Sequence, residues 1–334
     1  MEYRNLGNSG VKVSVIALGS MNFGPNPSKA WIGPGLDEQQ AVEITRYAFE
    51  QGVNFVDTAD LYQSGVSEEF VGTAIADFRD EIVLATKVNA PMGPGPNDRG
   101  LSAFHIKRAC EASLRRLKTN RIDLYQLHSA SFEVPHDETL RALDDLVREG
   151  KVIYIGCSNY PAWMIAEALG LQQLMGWNRF ITCQPRYNLL DRSIERDILP
   201  VCERHGLGIL PWSPLAAGFL SGKYRKGQPP PEGSRWSVHP YDKRYAQVPE
   251  RDWNVVETVV AMAEERGCEP AQVACAWLLS RRSLPSVLGG PNSLEQMKTY
   301  IGTADVTLSA EEVQRLDEVS EAPAGRPWPP KLVG

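Results

Sequence analysis

Short apolar runs that are rich in β-branched residues recur along the chain. There are eight of them, at residues 13–20, 53–58, 81–87, 122–128, 151–158, 180–185, 207–213 and 286–290. Between the runs lie segments with apolar residues at three- and four-residue steps, the spacing of an amphipathic helix. Examples begin at Ala41, Ala103, Asp137 and Arg192, and several end in glycine. The pattern predicts strands that alternate with helices.

Strands that are apolar on both faces suit a closed parallel sheet, because both of its faces are buried. Eight repeats of strand and helix therefore predict an α/β fold, a (β/α)8 TIM barrel formed as a single domain over residues 1–334. Residues 1–13 predict an N-terminal hairpin at one end of the barrel, and extra helices are expected outside it. An open doubly wound sheet is the alternative. It is disfavoured because no G-x-G-x-x-G sequence follows the first strand.

Three predicted connections, at residues 22–35, 90–100 and 222–250, exceed the usual few residues. Loops of this length are commonly lids or binding loops. The third contains Trp236, Tyr241 and Tyr245. It is therefore either a source of aromatic substrate contacts or a partly mobile insertion. The proline-rich tail from Ala322 either lies over the barrel mouth around Trp328 or is disordered.

The composition is that of an ordinary globular protein, with 43% hydrophobic and 23% charged residues. A formal net charge of -6 argues against nucleic-acid binding. No apolar run is long enough for a membrane span and the first residues do not resemble a signal peptide, so the cytoplasm is the expected location. The six cysteines include no C-x-x-C pair and have no nearby histidine at metal-ligand spacing, which predicts reduced, mostly buried thiols and no metal site.

Polar residues terminate most of the apolar runs. They are Asp57, Lys87, His128, Ser158 with Asn159, Gln184, and Trp212 with Ser213. Each has an ordinary structural explanation when taken alone: a turn cap, a lysine reaching solvent or a hydrogen-bonded core histidine. In a barrel, however, the carboxyl ends of the strands meet at one rim, where chemistry collects.

The segment GVNFVDTADLY, from Gly52 to Tyr62, places a carboxylate and a phenol at the mouth of one strand. Such a pair can transfer protons if a neighbouring group lowers the phenol's pKa from its ordinary value of about 10. The ammonium of Lys87 is expected to do this, with Asp57 holding the lysine in place. The alternative is that Tyr62 only lines a cavity.

Several motifs in succession resemble the aldo-keto reductase superfamily, in particular its bacterial branch related to potassium-channel β subunits and aryl-alcohol dehydrogenases. They are GVNFVDTADLY, IVLATK, IDLYQLH, GCSN, Gln184 and WSPLAAGFLSGKY. The resemblance extends from RNLGNSGVKVS at Arg4 to TLSAEEVQRLDEV at Thr307, and the motifs fall in order on successive predicted strands.

The resemblance implies a catalytic tetrad of Asp57, Tyr62, Lys87 and His128. It further implies a reduced nicotinamide at the barrel mouth and a small aldehyde or ketone substrate that is reduced to an alcohol, or formed from it in the reverse direction. Tyr62 would protonate the carbonyl oxygen while His128 orients and polarises it.

The resemblance also implies the residues that hold the cofactor. Ser158, Asn159 and Gln184 would contact the nicotinamide carboxamide, with Trp212 against the ring. The pyrophosphate would meet Ser213, Leu215, Gly218 and Lys223, and the adenosine end would meet Gly290, Asn292, Ser293 and Gln296. Ser293 is also a candidate helix cap.

Two positions depart from the family pattern. Pro291 and Asn292 stand where many relatives carry arginine or lysine for a 2'-phosphate, which weakens the charge-assisted grip expected for NADPH. NADPH remains the expected cofactor, with NADH possible. Ser131 stands where relatives of this branch often have aspartate, which leaves the polarity of the substrate pocket open.

Two other functions compete with carbonyl reduction. A Schiff-base aldolase would use Lys87 as a nucleophilic amine, but that requires a lowered pKa, and Asp57 nearby would raise it. A cofactor-bearing sensor with slow turnover follows from the likeness to channel β subunits. The physiological carbonyl substrate and the oligomeric state are not indicated by the sequence.

Overall fold

The structure is a computed structural model, described here for residues 1–26, 35–237 and 241–321. The strands in these residues are β1 Tyr3–Asn5, β2 Lys12–Ser14, β3 Ile16–Gly19, β4 Phe55–Asp57, β5 Val83–Val88, β6 Ile122–Leu127, β7 Val152–Ser158, β8 Phe180–Gln184, β9 Gly208–Ile209 and β10 Val287–Gly289. The helices are α1 Glu38–Glu50, α2 Val66–Ile75, α3 Ala103–Arg116, α4 His136–Arg148, α5 Ala162–Met175, α6 Ile198–His205, α7 Tyr241–Tyr245, α8 Glu250–Arg266, α9 Pro270–Leu279, α10 Leu294–Gly302 and α11 Ala310–Val319.

Strands β3 to β10 form the predicted parallel sheet, in the order β10-β3-β4-β5-β6-β7-β8-β9. The sheet curls, and the amide of Ile209 at one edge donates a 2.7 Å hydrogen bond to Ser283 O, just before the strand at the other edge. The (β/α)8 fold is therefore confirmed. The first barrel strand begins at Ile16 rather than Val13, because Val13 pairs with Arg4 in the predicted antiparallel hairpin of β1 and β2.

Side chains that alternate along the strands divide the core into two layers. One set fills the barrel, and Leu6 and Val13 of the hairpin close it at the lower end. This inner cluster comprises Leu6, Val13, Ala17, Phe55, Val83, Ala85, Leu124, Leu210 and Leu288. The other set packs between the strands and the surrounding helices. Alternation therefore also decides which polar residues at the strand ends point into the barrel mouth.

Side-chain caps fix where many of the helices begin. Asp37 and Gln40 form a capping box at α1, and Ser309 and Glu312 form another at α11. The predicted helix that begins at Arg192 is interrupted. Residues Ser193–Arg196 form a 3-10 turn, and α6 begins only after Asp197. The backbone of Asp197 is neither helical nor extended (φ -146°, ψ -45°) and breaks the helix, while its carboxylate accepts from the amide of Ile198.

Described residues of the long connection at 222–250 pack against the barrel. Trp236 and Tyr245 join Phe219, Tyr224 and Trp253 in a cluster of aromatic rings. Trp236 also donates from Nε1 to Ala217 O at 3.3 Å. Two of the three aromatic candidates for substrate contacts, Trp236 and Tyr245, therefore anchor the loop, while the side chain of Tyr241 lies outside the described part of the chain.

Several predictions concern residues outside the described ranges. They include most of the connection at 22–35 and the tail from Ala322 with Trp328. A tail that lies over the barrel mouth and a disordered tail therefore both stay predictions. The connection at 90–100 is a compact turn in which Asp98 accepts from the amide of Gly95 at 2.9 Å. Among the described helices, none is long and apolar enough to cross a membrane.

Candidate active site

Asp57 and Lys87 end neighbouring strands of the barrel, β4 and β5. Each lies on the inward-facing set of side chains, two residues beyond Phe55 and Ala85 of the inner cluster. Lys87 is fully buried, and Asp57 is nearly so. The strand alternation therefore forces a lysine and an aspartate into the upper layer of the barrel core.

The Lys87 ammonium makes three contacts. Its Nζ donates to Asp57 Oδ1 at 2.5 Å, to Thr58 O at 2.8 Å and to the Tyr62 hydroxyl at 3.3 Å. Burial is the largest single effect and disfavours the charge, but Asp57 and Tyr62 together outweigh it and hold the pKa of Lys87 above its ordinary value. The lysine is therefore a cation that faces the phenol.

The second oxygen of Asp57 is held by two amide side chains. Gln126 Nε2 donates to Oδ2 at 3.1 Å, and Gln184 Nε2 donates to the same oxygen at 2.9 Å. Gln184, which the resemblance implies as a contact of the nicotinamide carboxamide, thus also donates its amide nitrogen to Asp57. Gln126 was missed, although its position two residues before His128 places it on the inward-facing side of β6.

Tyr62 begins a 3-10 turn, Tyr62–Gly65, five residues after the end of β4 at Asp57. Gln63 and Ser64 in this turn have positive φ angles of 49° and 56°. Burial raises the pKa of Tyr62 above its ordinary value, and the opposing effect of Lys87 is smaller. The expectation that the lysine lowers this pKa toward neutrality is therefore wrong in its net direction, because the desolvation of the phenolate dominates. Tyr62 is a neutral phenol at physiological pH.

His128 follows β6 and meets Tyr62 edge to face, with ring centroids 5.8 Å apart. Burial, with a further contribution from Lys87, lowers the pKa of His128 to about 3. Its Nδ1 atom is buried and has no hydrogen-bond partner among the described residues. The structure therefore presents a neutral imidazole beside the phenol.

A hydrogen-bonded chain continues from His128 around the rim. Asn159 donates from Nδ2 to His128 O at 2.9 Å, and its Oδ1 accepts from Trp212 Nε1 at 2.9 Å. Ser158 Oγ donates to Gln184 O at 2.7 Å. Asn159 has a positive φ of 53°, a conformation that costs energy in a residue other than glycine. The candidate nicotinamide contacts Ser158, Asn159, Gln184 and Trp212 thus form one network with His128.

The loop after β9 concentrates backbone strain. Ser213, Ala216 and Ala217 have positive φ angles of 56°, 48° and 59°, each at a cost of roughly 1–3 kcal/mol. Ser213 holds the turn, because its Oγ accepts from the amide of Ala217 at 3.2 Å. The candidate pyrophosphate residues Ser213, Leu215 and Gly218 lie in this loop.

Lys223 lies at the end of this loop. Its Cε and Nζ atoms would lie 3.6 Å from a Cβ atom added to Gly218, so the lysine side chain passes close to that glycine. Burial lowers the pKa of Lys223, and the nearby charge of Arg235 lowers it further. The charge of Arg235 also acts on Tyr300 in α10. An anion placed between two cations that repel each other would relieve the repulsion, so this pair suits a phosphate group. Arg235 was not selected from the sequence, where it lies in a long connection without a motif.

The remaining candidates lie at the start of α10. Ser293 caps the helix as predicted, since its Oγ accepts from the amide of Gln296 at 3.3 Å, and Gln296 Oε1 accepts from the amide of Asn292 at 2.8 Å. Asn22 Nδ2 donates to Gly290 O and Pro291 O at 3.2 and 3.1 Å, which ties this turn to the segment after β3. The helix start and its turn are thus preorganised.

Comparison with known proteins agrees with this arrangement. Residues 15–321 match the family model described as "Aldo/keto reductase family". The chain belongs to this family. The resemblance seen in the sequence is therefore confirmed, and the protein is an oxidoreductase of a family that reduces carbonyl groups.

Three relatives align with this aldo-keto reductase over almost their whole length. The "Uncharacterized oxidoreductase YrpG" of Bacillus subtilis is 36% identical, over 97% of this chain and 98% of the relative. The "Versiconal hemiacetal acetate reductase" of Aspergillus parasiticus is 33% identical, over 100% and 98%. The "Probable voltage-gated potassium channel subunit beta" of Arabidopsis thaliana is 35% identical, over 98% and 99%.

Proposed function

We propose that this aldo-keto reductase reduces aldehydes or ketones to alcohols with NADPH, and that Tyr62 supplies the proton. The observation that carries the proposal is the contact of the Tyr62 hydroxyl with Lys87 Nζ at 3.3 Å. A general acid must hold its proton at the working pH, which a phenol with a raised pKa does. Once the proton has moved to the carbonyl oxygen, the adjacent ammonium stabilises the phenolate.

His128 acts as a neutral group that orients the substrate oxygen toward Tyr62. Its pKa of about 3 means that it carries no charge at neutral pH. It therefore polarises the carbonyl by dipole and hydrogen bonding rather than by donating a proton of its own. Asp57 acts by positioning Lys87, with Gln126 and Gln184 holding its second oxygen.

The bound dinucleotide supplies the hydride for the carbonyl carbon. Ser158, Asn159, Gln184 and Trp212 hold its nicotinamide end, and Ser213, Leu215, Gly218 and Lys223 hold the pyrophosphate. Gly290, Asn292, Ser293 and Gln296 hold the adenosine end. Arg235, whose charge acts on Lys223, would add a second cation to this anion site, and we propose NADPH rather than NADH on this ground.

Tyr62→Phe tests the proposed acid directly. The full-length protein is assayed with NADPH and with NADH against aliphatic and aromatic aldehydes and ketones, by nicotinamide absorbance. We expect kcat to fall by about 10²- to 10⁴-fold in Tyr62→Phe with unchanged dinucleotide affinity. Tyr47→Phe, on the outer helix α1, is the matched control and should retain full activity. An unchanged kcat in Tyr62→Phe would overturn the assignment.

Slow turnover as a cofactor-bearing sensor is the second candidate, favoured by the similarity to a potassium-channel β subunit. It predicts tight dinucleotide binding with negligible kcat for every carbonyl in the panel. The third candidate, a Schiff-base aldolase, is opposed by the ion pair of Lys87 with Asp57, which holds the amine protonated.

A further inference from the structure

The outer face of α5 is unusually apolar for a surface helix. Trp163, Ala166, Gly170 and Leu174 are spaced so that they share one side of the helix, and all four are exposed. Surface helices normally carry charged residues on the outward side. Here Glu167 is the one charged residue of the helix, and His136 Nδ1 lies 2.8 Å from its Oε2.

Neighbouring residues extend this apolar surface at both ends. Phe132, from the connection after β6, packs against Trp163 with ring centroids 6.3 Å apart and is 72% exposed. Leu174 is 79% exposed and Met175 is 55% exposed at the opposite end of the helix. We call this surface the α5 face: Phe132, Trp163, Ala166, Gly170, Leu174 and Met175.

The α5 face is large for a monomer. With roughly 150–250 Å² for each fully exposed large side chain, its four large residues alone expose about 500 Å² of apolar surface. A stable dimer needs about 800 Å² on each partner. Ala166, Glu167, Gly170 and Gln173 lie between the large residues, are exposed as well, and add to this area.

We propose that a second copy of this chain covers the α5 face, with the two α5 helices packed antiparallel about a two-fold axis. An axis near the middle of the helix places Trp163 of one copy against Leu174 of its partner, and the reverse, as an isologous contact requires. The small residues Ala166 and Gly170 lie near the axis, where the helices approach most closely.

Charges at the two ends select the antiparallel orientation. Glu133 is exposed beside Phe132, and Arg179 is exposed just beyond the other end of the helix. Antiparallel packing brings Glu133 of each copy toward Arg179 of the other, whereas parallel packing would bring like charges together. The proposal is independent of the reaction, since none of these residues belongs to the candidate active site.

Sedimentation velocity of the full-length protein from 1 to 100 μM, a range of concentrations typical of such interfaces, tests the proposal. We expect a dimer of the 37.0 kDa chain. Leu174→Glu should weaken dimerisation by about 100-fold or more, because it buries a charge in the apolar contact. Phe104→Glu, which alters an exposed aromatic residue on α3, is the matched control and should leave the dimer intact.

A charge swap tests the orientation. Glu133→Arg alone and Arg179→Glu alone should each weaken the dimer by about threefold to fivefold, and the double variant should restore it. Carbonyl turnover and circular dichroism of each variant verify that it is folded. A wild-type monomer at 100 μM, a dimer that survives Leu174→Glu, or a double variant weaker than both single variants would overturn the proposal.

Discussion

Lys87 Nζ lies 2.5 Å from Asp57 Oδ1, in a pair whose side chains are 0% and 3% exposed. Removing two charges from water costs several kcal/mol for each ion, and their attraction recovers this only when the remaining hydrogen bonds are also made. Here they are made: Thr58 O accepts from the lysine, and Gln126 and Gln184 donate to the aspartate. The remaining hydrogen bonds of the pair are therefore made, and the pair holds the ammonium of Lys87 against Tyr62.

Removing the aspartate of this pair should cost more unfolding free energy than removing the lysine. Asp57→Asn leaves a buried ammonium facing an amide, and two glutamine donors lose their carboxylate, so we expect a loss of about 3–5 kcal/mol in unfolding free energy. Lys87→Met leaves the carboxylate with both glutamine donors and should cost less, about 1–3 kcal/mol. Urea unfolding of both variants measures the difference.

The double variant completes the cycle. Asp57→Asn with Lys87→Met should lose less stability than the sum of the single losses, by about 1–3 kcal/mol, since neither partner is then left charged and alone. Simple additivity would show that the two side chains do not act as a unit.

Asp60 provides a pH-dependent test. Its side chain is fully buried, and no other side chain in the described part of the chain forms a hydrogen bond with its carboxylate. Burial, with repulsion from Glu68, raises the pKa of Asp60 from 3.8 to about 7. Above pH 4 the unfolded chain releases this proton while the folded chain retains it, so the stability that the neutral carboxyl contributes is lost as pH rises from about 4 to about 7.

Asp60→Asn should remove this pH dependence. At pH 8 the folded wild-type protein carries the buried charge at a cost on the order of 4 kcal/mol, which the variant avoids. The unfolding free energy of Asp60→Asn relative to wild type should therefore rise steadily between pH 4 and pH 8. Asp77→Asn, an exposed aspartate paired with Arg46, should show little change over the same range. A difference independent of pH would mean that Asp60 is ionised throughout.

The fold could be predicted from the sequence because its signals are local and repeated. Each barrel strand is an apolar run, and each predicted helix has a stripe of apolar residues. The prediction of one continuous helix from Arg192 was wrong, because the break depends on the backbone conformation of one residue, Asp197. The ordering of the connection at 222–250 likewise depends on distant packing of Trp236 and Tyr245 against Phe219, which no local pattern shows.

The sequence indicated which residues form the site better than it indicated the direction of their pKa values. The ends of the predicted strands indicated Asp57, Lys87 and His128. The alternation of side chains along β6 would also have indicated Gln126. The direction of the pKa of Tyr62 depends on how completely the phenol is buried, and burial is a property of the assembled barrel. Arg235 approaches Lys223 only through the path of a long connection. These features arise from tertiary structure rather than from any motif.

Cofactor preference can be shifted in both directions. Asn292→Arg adds a guanidinium beside the start of α10 and should tighten NADPH relative to NADH by about 10-fold. Arg235→Ala should weaken NADPH by a similar factor, with a smaller effect on NADH. Fluorescence titration with both dinucleotides measures the ratios, and Arg315→Ala on the outer helix α11 is the control. Unaltered ratios in both variants would place the 2'-phosphate elsewhere.

Trp236 attaches the long connection at 222–250 to the strained loop after β9. Its ring packs on Phe219 at 4.9 Å, and its Nε1 donates to Ala217 O, between two residues with positive φ. If this contact holds the loop in its dinucleotide-binding conformation, Trp236→Ala should raise the dissociation constant of NADPH about 10-fold, mostly through a faster dissociation rate. Trp236→Phe keeps the ring packing but loses the hydrogen bond, so it should fall between wild type and Trp236→Ala. Stopped-flow fluorescence separates the two rate constants, and equal dissociation rates in all three proteins would show that the loop holds its conformation without Trp236.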